Sequence, residues 1–111
     1  MSRFTIKQRF DTLSISKVPN SSGVYIIYDS AGPIYVGRSG VSIRHRLQVH
    51  LRQSGNRIIA RAIQIGASDS LSFTYYQMLS GVDRDAEAYL IQELGVDKYA
   101  NLRRESLPED R

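Results

Sequence analysis

Two tyrosines, an arginine with a histidine one helical turn beyond it, and one glutamate are the residues of this 111-residue chain whose types and spacing could do chemistry. Each tyrosine stands two positions from a glycine, in Gly23-Val24-Tyr25 and in Tyr35-Val36-Gly37. Arg46 and His50 are four residues apart, so on a helix they stack on one side. Arginine can offer two hydrogen bonds to an anion, and a phenol can give or take a proton. Glu87 would bring an acid to a segment that has none of its own. Singly, each residue has an ordinary explanation: strand tyrosines, a snorkelling arginine, a satisfied boundary histidine and a surface glutamate. Their meaning depends on the elements that hold them.

Val24 to Tyr28 is β-branched and aromatic, and so predicts a strand. Asp29-Ser30-Ala31-Gly32-Pro33 supplies turn residues, and Ile34-Tyr35-Val36 reads as the returning strand. With a five-residue loop, Tyr28 pairs with Ile34, Ile27 with Tyr35 and Tyr25 with Gly37. Tyr25 and Tyr35 then share a face as diagonal neighbours, and Gly37 leaves open space beside the Tyr25 ring for a substrate backbone. A one-residue slip would separate the two phenols.

Residues 42–53 have helical spacing, with Ile43, Leu47 and Leu51 on one stripe and Ser42 as N-cap. Arg46 and His50 flank that stripe, where a helix presents groups into a cleft against a sheet. A second helix is expected over 57–65, burying Ile58, Ile59, Ala62 and Ile63. Residues 71–78 alternate as a third strand. A last helix over 80–95 is capped by Asp83 and ended by Gly95, with Ala86, Leu90, Ile91 and Leu94 inward and Glu87 beside them. The order β-β-α-α-β-α predicts an α+β fold, a small three-stranded antiparallel sheet flanked by helices. One domain is expected over 1–111, with residues 1–17 a short helix or irregular arm, a core over about 18–101 and a loose charged tail at 102–111.

Net charge is only +4, but it is unevenly spread. Between Ser30 and Ser68 there is no Asp or Glu, while Arg38, Arg44, Arg46, Arg52, Arg57, Arg61, His45 and His50 all fall there. Nine of the eleven acids lie beyond Ser68. Such a strip suits a polyanion, with nucleic acid the default partner. The absence of cysteine excludes disulfides and thiolate chemistry and fits a cytoplasmic location. No apolar run is long enough to span a bilayer, so no membrane association is expected.

These residues, in this order, resemble the GIY-YIG nuclease family, in particular the N-terminal catalytic domain of excision-repair and homing endonucleases. Gly23-Val24-Tyr25 is similar to the first motif and Tyr35-Val36-Gly37 to the second. Arg46 and His50 match the arginine and histidine of the helix that follows, Glu87 the metal-binding glutamate and Asn101 the closing asparagine. The interval from Gly37 to Arg46 is one residue longer than in excision-repair members. Arg44 is therefore a rival, and Arg46 is preferred because Leu47 and His50 then fall into place. Arg38 stands where many relatives have lysine.

The resemblance implies hydrolysis of DNA phosphodiester bonds at one metal ion, Mg²⁺ or Mn²⁺, held by Glu87. It implies Arg46 on the phosphate, Tyr35 activating water with Tyr25 orienting it (or the roles exchanged), and His50 relaying a proton or holding a phosphate. Gly37, Arg38, Arg44, Arg57 and Asn101 are expected along the substrate. RNA stays open as a substrate, and specificity is expected from a homodimer or a partner protein. A non-catalytic nucleic-acid-binding module of the same fold and a basic protein-interaction domain are the alternatives.

Overall fold

A computed structural model of the chain describes residues 4–30, 32–53, 57–65, 70–79 and 81–94. In chain order its elements are β1 (Gln8–Arg9), α1 (Thr12–Ser16), β2 (Gly23–Asp29), β3 (Gly32–Ser39), α2 (Ile43–Gln53), α3 (Arg57–Gln64), β4 (Ser72–Gln77) and α4 (Val82–Leu94). The sheet is antiparallel with strand order β1-β4-β2-β3, so it has four strands rather than the three expected. The additional strand is the short β1, which pairs Gln8 with Phe73 and Arg9 with Ser72. Two residues carry no periodicity, which is why the N-terminal segment reads as an arm in sequence. The same segment holds α1, whose N-cap Asp11 accepts a 2.8 Å hydrogen bond from the Ser14 N–H. That bond keeps the Asp11 carboxyl below its ordinary pKa.

β2 lies between β3 and β4, and Val24 to Ile27 are buried on both its faces. Tyr25, Ile27, Tyr35 and Phe73 belong to the larger core, with Phe10, Ile15, Val18, Ile43, Leu47 and Ile59. Ile26 and Val36 form a smaller core on the other face, with Phe4, Tyr28 and Leu90 packed against it. The helices therefore cover both faces: α1, α2 and α3 on the tyrosine side, and α4 against β3 and β2 on the other.

The hairpin keeps its expected register at the tyrosines and departs from it nearer the turn. Ile27 pairs with Tyr35 and Tyr25 with Gly37, but Tyr28 pairs with Pro33 and Asp29 with Gly32. The register shifts between Ile27 and Tyr28, leaving Ile34 as the bulged residue. Two residues in a bulge face one partner, and Ile34 and Tyr35 both enter the larger core. A two-residue connection plus a bulge thus gives Tyr35 the same face as a five-residue loop would.

α2 begins where expected. The Ser42 hydroxyl accepts from the His45 N–H at 3.1 Å, while the Ser39 hydroxyl accepts from the N–H groups of Val41 and Ser42. α4 starts at Val82, one residue ahead of the expected cap Asp83. The side chains of Ile58, Asp83, Ile91 and Leu94, together with Gly95, Asn101 and the tail 102–111, lie outside the described residues. Among the described residues, no helix is long and apolar enough to cross a membrane.

Candidate active site

Gly37 explains how the site is built. A Cβ on Gly37 would overlap Cζ and the hydroxyl of Tyr25 and lie 2.7 Å from its Cε1. The Tyr25 ring therefore leans from β2 across β3, the terminal strand, and fills the space that a side chain there would take. This corrects the expectation of open room for substrate beside the ring. Gly23 is also filled from within the protein: a Cβ there would meet the Tyr76 carbonyl and come within 2.7 Å of Ile43 Cδ1. The glycines admit protein, not a nucleic-acid backbone.

Carried to the edge of the sheet, the Tyr25 hydroxyl meets α2. It lies 3.0 Å from Nε2 of His50. The Arg46 guanidinium acts on it by charge and by a hydrogen bond, and the Glu87 carboxylate of α4 acts on it by charge. Arginine can only donate, so the Tyr25 oxygen accepts from Arg46, while the direction of the Tyr25–His50 bond follows the His50 tautomer. Tyr35 completes the cluster: its ring centroid is 4.9 Å from that of His50 and 6.2 Å from that of Tyr25. Tyr25, Tyr35 and His50 are all buried, and Arg46 is exposed.

Arg44 and Arg46 are separated by this geometry. At two residues' spacing they point to opposite flanks of the Ile43-Leu47 stripe, and only Arg46 is placed on Tyr25. Arg57 is exposed in the first turn of α3, which packs on α2. Arg38 and Glu87 form an ion pair, Nε to Oε1 3.4 Å, which nothing in the sequence announced beyond opposite charge. Asn101 is outside the described residues.

Burial pushes the Tyr25 phenol well above its ordinary pKa, with Tyr35 and Glu87 adding to the shift and Arg46 opposing it. The charge of Arg46 favours the phenolate, and desolvation outweighs it. The folded state therefore binds this proton more tightly than the unfolded chain, whose tyrosines titrate near 10. The stability linked to it is complete below about pH 10 and is lost as pH rises toward the folded pKa, by up to about 1.4 kcal/mol per pH unit. Thermal melts between pH 9 and 11 should show this decline, and Tyr25→Phe should flatten it. An equally steep decline in the variant would show that another group is responsible.

Among the described residues, no three acids, histidines or cysteines gather into a metal cage. The donor set near Tyr25 is one half-buried carboxylate, Glu87, with phenols and the Arg46 guanidinium around it. That set fits a hard cation that keeps most of its waters, and it does not fit zinc.

Residues 21–100, most of the chain, match the model of the GIY-YIG catalytic domain. Among solved structures, the chain is similar to the GIY-YIG N-terminal endonuclease domain of UvrC from Thermotoga maritima bound to magnesium, its catalytic divalent cation. The identity is 29%, the TM-score 0.57, and the match covers 75% of this chain and 88% of that one. Two point mutants of the same UvrC domain, each bound to its catalytic divalent cation, match with 26% and 29% identity. Both have TM-scores of 0.57 and cover 75% of this chain and 87% of theirs. A comparison with curated proteins finds no match.

Proposed function

Because this chain belongs to the GIY-YIG catalytic-domain family, we propose that it is an endonuclease that hydrolyses DNA phosphodiester bonds with one divalent cation, Mg²⁺ or Mn²⁺. The observation that carries this reading is the convergence of β2, α2 and α4 on one hydroxyl: Tyr25 takes a hydrogen bond from Arg46, contacts His50 and feels the charge of Glu87. A binding module has no need of an acid there, because a carboxylate repels phosphate.

Glu87 would hold the cation, which supplies a Lewis acid for the charge that develops on the phosphate and on the departing 3′ oxygen. The other roles belong to the chain. Arg46, exposed at the mouth and anchored on Tyr25, donates to a non-bridging oxygen and stabilises the crowded transition state. Tyr25 stays a neutral phenol, because its burial opposes ionisation. Its role is to fix Arg46 and His50 in place. The general base is assigned to Tyr35, on the same face and beside His50. It would act as a phenolate, its own proton released to solvent and that form favoured by the nearby cations. His50, whose Nε2 lies 3.0 Å from the Tyr25 hydroxyl, relays a proton or holds a phosphate. Specificity is left to a second copy or a partner protein.

Plasmid nicking tests the reading. Supercoiled DNA should be nicked with Mg²⁺ or Mn²⁺ and left intact with EDTA. DNA bound but uncut with both metals would make the chain a binding module instead.

Arg57 and Arg61, both exposed and one turn apart on α3, are assigned to phosphates away from the cut. Replacing both with alanine should lower the slope of log affinity against log salt by about 2, with the rate of the bound complex unchanged. An unchanged slope would remove α3 from the interface. Fluorescence anisotropy between about 50 and 200 mM salt provides the measurement.

A further inference from the structure

Arg38 and Glu87 meet on the face of the sheet opposite the tyrosines. Arg38 follows Val36 by two positions, so it shares the α4 face with Val36, Ile26 and Leu90. Glu87 reaches down to it from α4, and its Oε1 lies 3.4 Å from Arg38 Nε. The same carboxylate is felt by the Tyr25 hydroxyl, which comes over Gly37 from the other face. Glu87 thus already has a cationic neighbour on its own side of the sheet.

We propose that Arg38 is a positioning residue that holds Glu87 in place until a divalent cation binds, is displaced by that cation, and then carries its guanidinium to the phosphate. This inference rests on the reading that Glu87 takes the cation. Mg²⁺ demands near-ideal octahedral geometry at close range, so a guanidinium on the same carboxylate is both in the way and of like charge. The pair is easily exchanged, since the Arg38 and Glu87 side chains are 35% and 22% exposed and a partly solvated ion pair contributes little. While it lasts, the pair keeps the carboxylate aimed at the sheet edge. Once displaced, Arg38 is still anchored in β3, beside the place where the phosphate arrives. Cation and DNA then bind cooperatively through Arg38, and the coupling is reciprocal.

Arginine side-chain NMR of the full chain, titrated with Mg²⁺ alone and no DNA, provides the test. The Arg38 Nε–H signal should move saturably with Mg²⁺ and should not move in Glu87→Gln. Mg²⁺ affinity, followed on backbone amides of α4, should tighten by about three- to fivefold in Arg38→Met, the worth of one competing, partly solvated ion pair. Arg46→Met removes the same charge from the other face and should produce less than half of that change. The proposal is overturned if Glu87-dependent Mg²⁺ binding leaves the Arg38 signal still. It is equally overturned if Arg38→Met binds Mg²⁺ like wild type, or if Arg46→Met matches it. Absence of any saturable Mg²⁺ response in the wild type would overturn the cation reading of Glu87 as well. Should Arg38→Met not fold, the wild-type and Glu87→Gln titrations decide alone.

Discussion

Glu87→Gln should remove metal-dependent nicking, by about a thousandfold or more, and leave the fold in place. Glutamine keeps the volume and the hydrogen-bonding capacity of the side chain, so the change isolates the charge. The charge matters because no cluster of further acids, histidines or cysteines stands with it among the described residues. The fold should tolerate the change because the carboxylate's ion pair with Arg38 is partly solvated. A loss of under about 1 kcal/mol corresponds to a drop in melting temperature of roughly 4 °C or less in a chain of this length. Supercoiled-plasmid cleavage with Mg²⁺, run beside a thermal melt, reads both. Cleavage retained within tenfold would sink the assignment of Glu87, and a collapsed melt would mean that the residue is structural.

Gly37→Ala should be nearly as damaging, by a different route. The added methyl overlaps the hydroxyl end of Tyr25, and the ring has nowhere to retreat. It is wholly buried, with Tyr35 and His50 at 6.2 and 5.8 Å between centroids. Relief requires the ring to turn, which breaks its 3.0 Å contact with His50 and withdraws the hydroxyl from Arg46. Overpacking of this kind costs about 1–3 kcal/mol. Misplacing a positioned arginine by an ångström costs on the order of a hundredfold in rate. A double-mutant cycle checks the mechanism. In a Tyr25→Ala background the overlap is gone, so Gly37→Ala should cost almost nothing there. If the two changes are additive, the ring is not what Gly37 accommodates.

What could be read in the sequence was whatever depends on short-range periodicity. Tyr25 and Tyr35 lie on one face because alternation and the odd number of residues between Ile27 and Tyr35 require it. Arg46 and His50 flank the Ile43-Leu47 stripe because a helix turns 100° per residue, and the same arithmetic sends Arg44 to the other flank. Three features were not legible, for three reasons. β1 is two residues long and exists only because β4 offers it a partner. The direction of the Tyr25 ring is a rotamer choice made by its surroundings, so Gly37 looked like a vacancy when it is a seat. The Arg38–Glu87 pair joins residues far apart in the chain and on separate elements. No spacing rule connects them.

The bulge at Ile34 also says how this chain can change in length. A two-residue connection alone would put Tyr35 on the wrong side, and the extra residue restores it. Loss of one residue there can be met by losing the bulge, which leaves a regular ladder with Ile27 still opposite Tyr35. The hairpin therefore has slack of one residue built into it. Insertions and deletions near its tip, which would ordinarily turn every later side chain of a strand inside out, can be absorbed before they reach the phenols. Over generations, the tip of this hairpin is where a lineage can lengthen, shorten or graft new chain without rebuilding what lies behind it.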